Sequence, residues 1–63
     1  MAKTIYTFTE EFNGEEKTVG EAALENIEQA KGFAESCRKY LLSVIKIKND
    51  AGEVLASKFL DWA

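Results

Sequence analysis

Hydrophobic residues recur at every second position near the start of the chain. Between residues 4 and 12, Tyr6, Phe8 and Phe12 alternate with threonine and glutamate. A period of two in a segment rich in aromatic and β-branched residues is typical of a β-strand with one buried face. The pattern therefore predicts a half-buried strand over residues 4–12.

The dipeptide Asn13–Gly14 predicts a tight turn directly after this strand. Both residues accept the positive φ that the central positions of a type I′ turn require. A two-residue hairpin fixes four facing pairs: Phe12 with Glu15, Glu11 with Glu16, Glu10 with Lys17, and Phe8 with Val19. The returning strand is expected over residues 16–22.

Two positions fit the start of a central helix, and they imply different folds. Thr18 and Asn26 each suit an N-cap, because a Glu or a Gln follows three residues later, as in a capping box. A helix from Thr18 would contain Gly20, at a cost of about 1 kcal/mol, and would leave the Asn13–Gly14 turn without a returning strand. The sequence therefore favours the later start, with a helix over residues 27–39.

The spacing of hydrophobic residues in this helix predicts a single inner face. The residues on that face are Ile27, Ala30, Phe33, Ala34, Cys37 and either Tyr40 or Leu41. Because Ala30 and Ala34 have small side chains, we expect the helix to pack closely on a sheet.

Alternation returns in the last third of the chain. Residues 43–48 alternate hydrophobic residues with lysine, residues 49–52 read Asn-Asp-Ala-Gly and predict a turn, and residues 53–60 return as a strand. With Ile47 opposite Leu55, the buried face is expected to hold Ile45, Ile47, Leu55 and Phe59. The outer face is expected to hold Val44, Lys46, Lys48, Val54, Ala56 and Lys58.

Together these elements predict one α+β domain over residues 1–63 with the order ββαββ. A four-stranded, mainly antiparallel sheet would pack one helix on one face. A chain of 63 residues buries only about 60% of its unfolded surface, so the core leaves no room for an enclosed active-site cavity of ordinary size. A hydrophobic content of 46% excludes a disordered chain.

Residues for catalytic or metal-binding chemistry are scarce in this sequence. The chain has no histidine, the commonest general base and metal ligand, and a single cysteine, Cys37. Cys37 lies on the predicted inner face of the helix, which favours a buried hydrophobic role over a nucleophilic one. The carboxylates of Glu10, Glu11, Glu15 and Glu16 flank a turn that is expected to be exposed, which argues against acid–base catalysis there. The sequence predicts neither an enzyme nor a metal or cofactor site.

Charge is distributed unevenly along the chain, whose net charge is −3. Residues 1–30 hold seven acidic and two basic residues, a net charge of −5, and residues 31–63 hold four acidic and six basic residues, a net charge of +2. The acidic hairpin and the lysine-dotted outer sheet face are candidate contact surfaces for another protein. The pattern nevertheless favours ordinary solvated faces that keep a small protein soluble.

Trp62 has two interpretations, an anchor in an interface or a lid on the core. The candidate partner-binding residues are Glu10, Glu15, Glu16, Lys46, Lys48, Lys58 and Trp62. Nucleic acid is not an expected partner, because the protein is acidic and its outer-face lysines are not interleaved with aromatic residues.

The cytoplasm is the expected location. The first residues lack the apolar run of a secretory signal, and no stretch approaches the roughly 18 apolar residues of a membrane span. A single cysteine is also unlike the disulfide-rich composition of small secreted domains.

Part of the sequence resembles a group of small phage proteins. The residues concerned are Asn26–Ala34 (NIEQAKGFA), Val44–Ile47 (VIKI), Gly52–Lys58 (GEVLASK) and Trp62. In these residues the chain resembles phage-encoded ββαββ proteins, among them an anti-CRISPR protein that acts on type I-F surveillance complexes. The resemblance implies a small inhibitor that docks on a protein complex in the cytoplasm of a host cell, and it assigns no functional residue.

Two functional hypotheses follow from the sequence. The first is a non-enzymatic protein-binding module, encoded by a phage or another mobile element, that inhibits or modulates a host protein complex. The second is a structural or self-assembling protein that forms a homodimer through a sheet edge or its outer face, since a small core gains stability from association.

Overall fold

The computed structural model describes residues 3–40 and 42–62. Its elements are strand β1 at Thr4–Phe12, strand β2 at Glu15–Leu24, helix α1 at Ile27–Cys37, strand β3 at Val44–Lys48 and strand β4 at Val54–Lys58. The strands form a four-stranded sheet in the order β2-β1-β3-β4, in which every neighbouring pair is antiparallel. The predicted α+β fold with ββαββ order is therefore confirmed.

Helix α1 packs on one face of the sheet and closes a small core. Ala30 and Ala34 of the helix are fully buried, and the sheet beneath them supplies the large side chains of Phe8, Ile45 and Ile47. Small residues on the helix and large residues on the central strands interdigitate, which is how a short helix comes close to a sheet.

Helix α1 begins after Asn26, the later of the two predicted starts. The Oδ1 atom of Asn26 accepts a hydrogen bond of 2.9 Å from the backbone N–H of Gln29. The Oε1 atom of Gln29 in turn accepts a hydrogen bond of 3.0 Å from the backbone N–H of Glu25. These bonds satisfy backbone donors that the first turn of a helix leaves without partners. Thr18, the alternative start, lies in β2.

The predicted inner face of the helix is only partly buried. Phe33 stacks on Phe8, with ring centroids 5.0 Å apart, but its outer edge is exposed. Cys37 is half-buried. Tyr40 lies beyond the helix and is exposed, so it does not belong to the inner face. Leu41, the alternative, lies outside the described residues.

Both hairpins turn where the sequence predicts. Asn13 and Gly14 have φ angles of 57° and 83°, as a type I′ turn requires. In the second hairpin, Gly52 has a φ of 86°. The Oδ1 atom of Asn49 there accepts a hydrogen bond of 2.9 Å from the backbone N–H of Glu53. The turn chemistry was therefore readable from the sequence.

A β-bulge shifts the register of the first hairpin. The pairs nearest the turn match the prediction, but Val19 is an extra residue in β2, so that Phe8 faces Gly20. The predicted pairing of Phe8 with Val19 is wrong for this reason. A Cβ atom on Gly20 would lie 3.1 Å from the Sγ atom of Cys37. The bulge therefore places a glycine where the helix and the sheet approach closely.

A second register shift reverses the faces of β4. Ile47 pairs with Ala56 because Leu55 is an extra residue in the ladder. Ala56 is 6% exposed and Leu55 is 45% exposed. The predicted burial of Leu55 and Phe59 is therefore wrong, and so is the predicted outer position of Ala56 and Lys58. A one-residue shift moves a strand's side chains to the opposite face, because their period is two.

Trp62 folds back towards the helix side of the sheet. It forms an antiparallel bridge with Lys58 and packs against the core. The Nζ atoms of Lys31 and Lys58 lie 5.7 Å and 5.8 Å from the centroid of the indole ring, close enough for cation–π attraction. Lys58 also pairs with Glu35 of α1. Trp62 is thus placed as the predicted lid.

Gly32→Ala is expected to stabilise the protein by about 0.5–1 kcal/mol, because alanine has the higher helix propensity. Gly32 lies in the middle of α1, and no heavy atom lies within 4 Å of the position that its Cβ would occupy. Urea unfolding followed by the fluorescence of Trp62 measures the change. A loss of stability would show that the absence of a side chain at position 32 matters for the fold.

Gly20→Ala, the same substitution on the other side of the helix–sheet contact, is expected to destabilise the protein by about 1–2 kcal/mol. The new methyl group would press on the Sγ atom of Cys37. In a Cys37→Ala background the cost of Gly20→Ala should therefore shrink. An equal cost in both backgrounds would contradict this steric explanation.

Candidate functional site

Acidic and basic side chains form an ion-pair network on the sheet face opposite the helix. The Nζ atom of Lys46 donates hydrogen bonds to Oε1 of Glu11 at 3.3 Å and to Oε1 of Glu16 at 3.1 Å. The Nζ atom of Lys48 donates to Oε2 of Glu16 at 2.8 Å. Glu11 and Glu16 face each other across β1 and β2, so the lysines neutralise what would otherwise be a repulsive pair.

The network shifts the pKa values of Glu16 and Lys46. Hydrogen bonds from Lys48 and Lys46 hold the pKa of Glu16 below its ordinary value. The hydrogen bonds that Lys46 donates to Glu16 and Glu11 raise the pKa of Lys46. Two carboxylates and two ammonium groups therefore satisfy one another within the chain.

Glu10 points to the other face of the sheet and is 5% exposed. Its Oε2 atom accepts hydrogen bonds from the backbone N–H of Lys39 at 3.0 Å and from the backbone N–H of Tyr40 at 3.0 Å. It also accepts one from the hydroxyl of Ser43 at 2.6 Å. The prediction that Glu10 flanks an exposed turn is wrong, because the loop between α1 and β3 covers it.

Burial alone would raise the pKa of Glu10, because it disfavours the charged form. The hydrogen bonds from Ser43, Tyr40 and Lys39 outweigh burial, and the positive charge of Arg38 acts in the same direction. The pKa of Glu10 therefore lies below its ordinary value of 4.5, and the carboxylate is ionised at neutral pH.

Arg38 ties the same loop to the end of β4. Its Nε atom donates to the carbonyl oxygen of Tyr40 at 2.8 Å. Its Nη2 atom donates to the carbonyl oxygens of Ser43 at 2.8 Å and of Phe59 at 2.9 Å. Three carbonyl groups that lie outside regular secondary structure thus share one guanidinium, whose rigid fork of donors suits this role.

Large hydrophobic side chains are exposed at this end of the sheet. Leu42 is 64% exposed and Leu60 is 67% exposed. The hairpin-end surface, as we call it, consists of the exposed side chains of Phe12, Tyr40, Leu42, Phe59 and Leu60. They lie at one end because β3 runs antiparallel to both β1 and β4, so that the end of β1, the start of β3 and the end of β4 meet there.

Two aromatic rings stack within the hairpin-end surface. The rings of Phe12 and Tyr40 lie 4.3 Å apart at an interplanar angle of 11°. Beside them a cleft of about 300 Å³ separates the first hairpin from the loop after α1. The cleft is lined by Glu10, Phe12, Asn13, Glu15, Lys17, Thr18, Val19, Lys39 and Tyr40.

The candidate partner-binding residues do not form a single site. Glu16, Lys46 and Lys48 belong to the ion-pair network. Glu15 lines the cleft, and its Oε2 atom lies 3.7 Å from the Nζ atom of Lys17. The remaining three lie on the helix side of the sheet, where Glu10 is buried and Lys58 contacts Trp62. Their roles in binding a partner stay predictions.

Sequence reasoning missed most of the hairpin-end surface. Phe59 was expected in the core, and Tyr40 was one of two candidates for the inner helix face. A signal was present, since Tyr40 to Leu42 and Phe59 to Leu60 are runs of adjacent hydrophobic residues. Such runs break the period of a half-buried strand or helix, and part of each must face solvent.

Comparisons with protein-family models, with curated proteins and with solved structures found no match for the chain. Within residues 3–40 and 42–62, no group of three or more His, Cys, Asp or Glu side chains is placed to hold a metal ion. In that same part of the chain, no helix has the length and the hydrophobicity needed to cross a membrane.

Lys46→Met is expected to destabilise the protein by about 0.5–1 kcal/mol, because Glu11 and Glu16 would face each other with only Lys48 between their charges. The pKa of Glu16 is lowered in the folded state. The contribution of its carboxylate to the stability of the folded protein is therefore fully present above the ordinary pKa of Glu16, and it is lost as the pH falls through the lowered value. The difference between the variant and the wild type should therefore shrink in acid, and it should also shrink at high salt.

The matched control is Lys17→Met. Lys17 pairs with Glu15 at 3.7 Å, and both side chains are about three-quarters exposed, so its removal should change stability little. Thermal unfolding at low and high salt measures both variants. Equal effects of the two substitutions would show that the network does not hold the sheet together.

Proposed function

We propose that the protein is a non-enzymatic binding module that docks on another protein through the hairpin-end surface. The observation that carries the proposal is the exposure of five large hydrophobic side chains at one end of a 63-residue chain. Exposed hydrophobic surface favours association, because its removal from water stabilises a complex. Aromatic residues such as Phe12 and Tyr40 are also typical anchors of protein interfaces.

The charged surfaces are weaker candidates for the contact. Lys46 and Lys48 already pair with Glu11 and Glu16, and a partner would have to replace these bonds before gaining from new ones. Glu10 is satisfied by its own loop. On the hairpin-end surface Phe12 and Tyr40 stack on each other, but they and the other three hydrophobic side chains remain exposed, which supports this surface as the docking site.

The partner is a host protein complex in the cytoplasm, and the protein inhibits or modulates it by covering a functional surface. Support for this step comes from the resemblance of residues 26–34, 44–47 and 52–58 to small phage proteins, including a type I-F anti-CRISPR protein. The net charge of −3 favours encounter with a partner that is basic around its contact site.

Affinity capture from bacterial lysate tests the docking proposal with a pair of variants. Leu42→Ser changes the hairpin-end surface, whereas Ile5→Ser makes a comparable change at a residue that is 48% exposed near the opposite end of β1. The wild type and Ile5→Ser should retain a stoichiometric protein partner, and Leu42→Ser should weaken its binding by about tenfold or more.

Two outcomes would contradict the docking proposal. The first is the absence of any stoichiometric partner from lysates of candidate hosts. The second is equal capture by Leu42→Ser and Ile5→Ser when both variants unfold at the same temperature as the wild type.

A second candidate function, self-assembly into a homodimer, is favoured by the edge strand β4. Val54 and Leu55 on this edge are exposed and uncharged, and an open edge with such residues can pair with a second copy. Light scattering from micromolar to millimolar concentration tests this function. A dimer that Val54→Lys abolishes would support it, and a monomer throughout the range would exclude it.

A further inference from the structure

The loop between α1 and β3 presents two of the five residues of the hairpin-end surface, Tyr40 and Leu42. Its path is set by Glu10, since one carboxylate oxygen accepts two consecutive backbone N–H groups and the hydroxyl of Ser43. We propose that Glu10 is the positioning residue of this surface: its carboxylate clamps the loop in place, and protonation of the carboxylate releases it. The consequence for binding rests on the proposed function, whereas the clamp itself does not.

The geometry of the clamp requires a negative charge. All three groups that approach Oε2 of Glu10 donate hydrogen bonds, at 3.0, 3.0 and 2.6 Å. Hydrogen bonds to an ionised carboxylate are roughly twice as strong as those to a neutral acceptor. A protonated carboxyl group would weaken all three at once and would introduce a new donor into a cluster of donors.

Among the described residues of the loop, neither of the large hydrophobic side chains, Tyr40 and Leu42, is buried. Leu42 is largely exposed, and Tyr40 is half exposed and contacts the sheet through its stack on Phe12. The bonds from Arg38 join loop carbonyls to one another and to Phe59. Glu10 provides three hydrogen bonds between this loop and the central strand.

The hydrogen bonds from Ser43, Tyr40 and Lys39, together with the charge of Arg38, keep Glu10 ionised near neutral pH. Lys17 is its cross-strand neighbour on β2, and Arg38 and Lys39 lie on the loop. On the other side its partner on β3 is the uncharged Ile45, and Lys58 of β4 lies beyond it. The titratable groups that share its cleft are Glu15, Lys17, Lys39 and Tyr40. In this cleft the two cationic side chains, Lys17 and Lys39, outnumber the one carboxylate besides that of Glu10, which belongs to Glu15.

The direction of the pH effect follows from this environment. Glu10 titrates in the folded protein below its ordinary value of 4.5. A group with a lowered pKa stabilises the folded state above its ordinary pKa, and this contribution is lost as the pH falls through the lowered value. The loop should therefore be clamped at neutral pH and released in acid, before or together with global unfolding.

Amide proton shifts of Lys39 and Tyr40 test the clamp directly, because these two N–H groups donate to the carboxylate. In the wild type both shifts should titrate together between about pH 7 and about pH 2, with a common midpoint below 4.5. In Glu10→Gln neither amide should titrate. Glu11→Gln is the matched control, since Glu11 is adjacent in β1 but faces the ion-pair network, and both titrations should persist in it.

Hydrogen exchange near neutral pH provides the second measurement. Protection of the Lys39 and Tyr40 amides should fall by about tenfold or more in Glu10→Gln relative to Glu11→Gln, while core amides such as those of Ile45 and Ile47 change less. Wild-type amides that neither titrate nor resist exchange would overturn the clamp. The clamp would also be overturned if Glu10→Gln lowered hydrogen-exchange protection equally across the whole sheet and the amide shifts of Lys39 and Tyr40 did not titrate in the wild type.

The clamp and the docking proposal fail in different experiments. If the amides of Lys39 and Tyr40 behave as expected but Leu42→Ser captures a partner as well as the wild type does, the clamp stands and the hairpin-end surface is not the docking site. If capture depends on Leu42 but the two amides do not report on Glu10, the surface stands and the clamp is wrong.

Discussion

The buried carboxylate of Glu10 joins the central strand β1 to the loop that follows α1. A charge in the interior of so small a protein is costly unless hydrogen bonds replace its lost hydration. Here the two backbone N–H groups that follow the helix and the hydroxyl of Ser43 do so. Helix α1 ends at Cys37, where Arg38 takes an extended backbone conformation. The N–H groups of Lys39 and Tyr40, which follow, donate to Glu10, so that one side chain of β1 binds the chain as it leaves α1.

This arrangement determines which surfaces remain for other molecules. Glu11 and Glu16 are neutralised by Lys46 and Lys48 on the outer face, and Glu10 is neutralised on the inner face by the loop. Acidic residues of the first half of the chain therefore pair with basic residues of the second half, and the two halves do not form separate surfaces of opposite charge. The exposed large hydrophobic side chains are concentrated at the end where the loop emerges, and the others are Ile5, Phe33, Val54 and Leu55. This concentration is the physical reason for the proposed docking site.

The sequence predicted the parts of the fold that depend on local chemistry. The Asn13–Gly14 turn and the Asn26 cap follow from backbone conformations that few residues favour, and the period of two located the strands. The face of β4 could not be predicted, because a bulge at Leu55 reverses it, and the bulge at Val19 shifts β2 in the same way. A bulge leaves one residue unpaired, and at Val19 it places Gly20 against Cys37 of the helix, a contact that a linear pattern does not contain.

The candidate site escaped prediction for a related reason. Glu10 sits in an alternating strand between Phe8 and Phe12, and its burial depends on a loop that arrives about thirty residues later along the chain.

The same bulges bear on how the protein can associate. On the β2 edge, the bulge at Val19 and the charges of Glu15, Glu16 and Lys17 oppose pairing with another strand. On the β4 edge, Trp62 already bridges Lys58 and shortens the open stretch to Val54 and its neighbours. Both edges are thus partly closed to a new strand, whereas the hairpin-end surface is open and held in shape by Glu10. Association through side chains at the end of the sheet therefore requires less rearrangement than extension of the sheet at either edge.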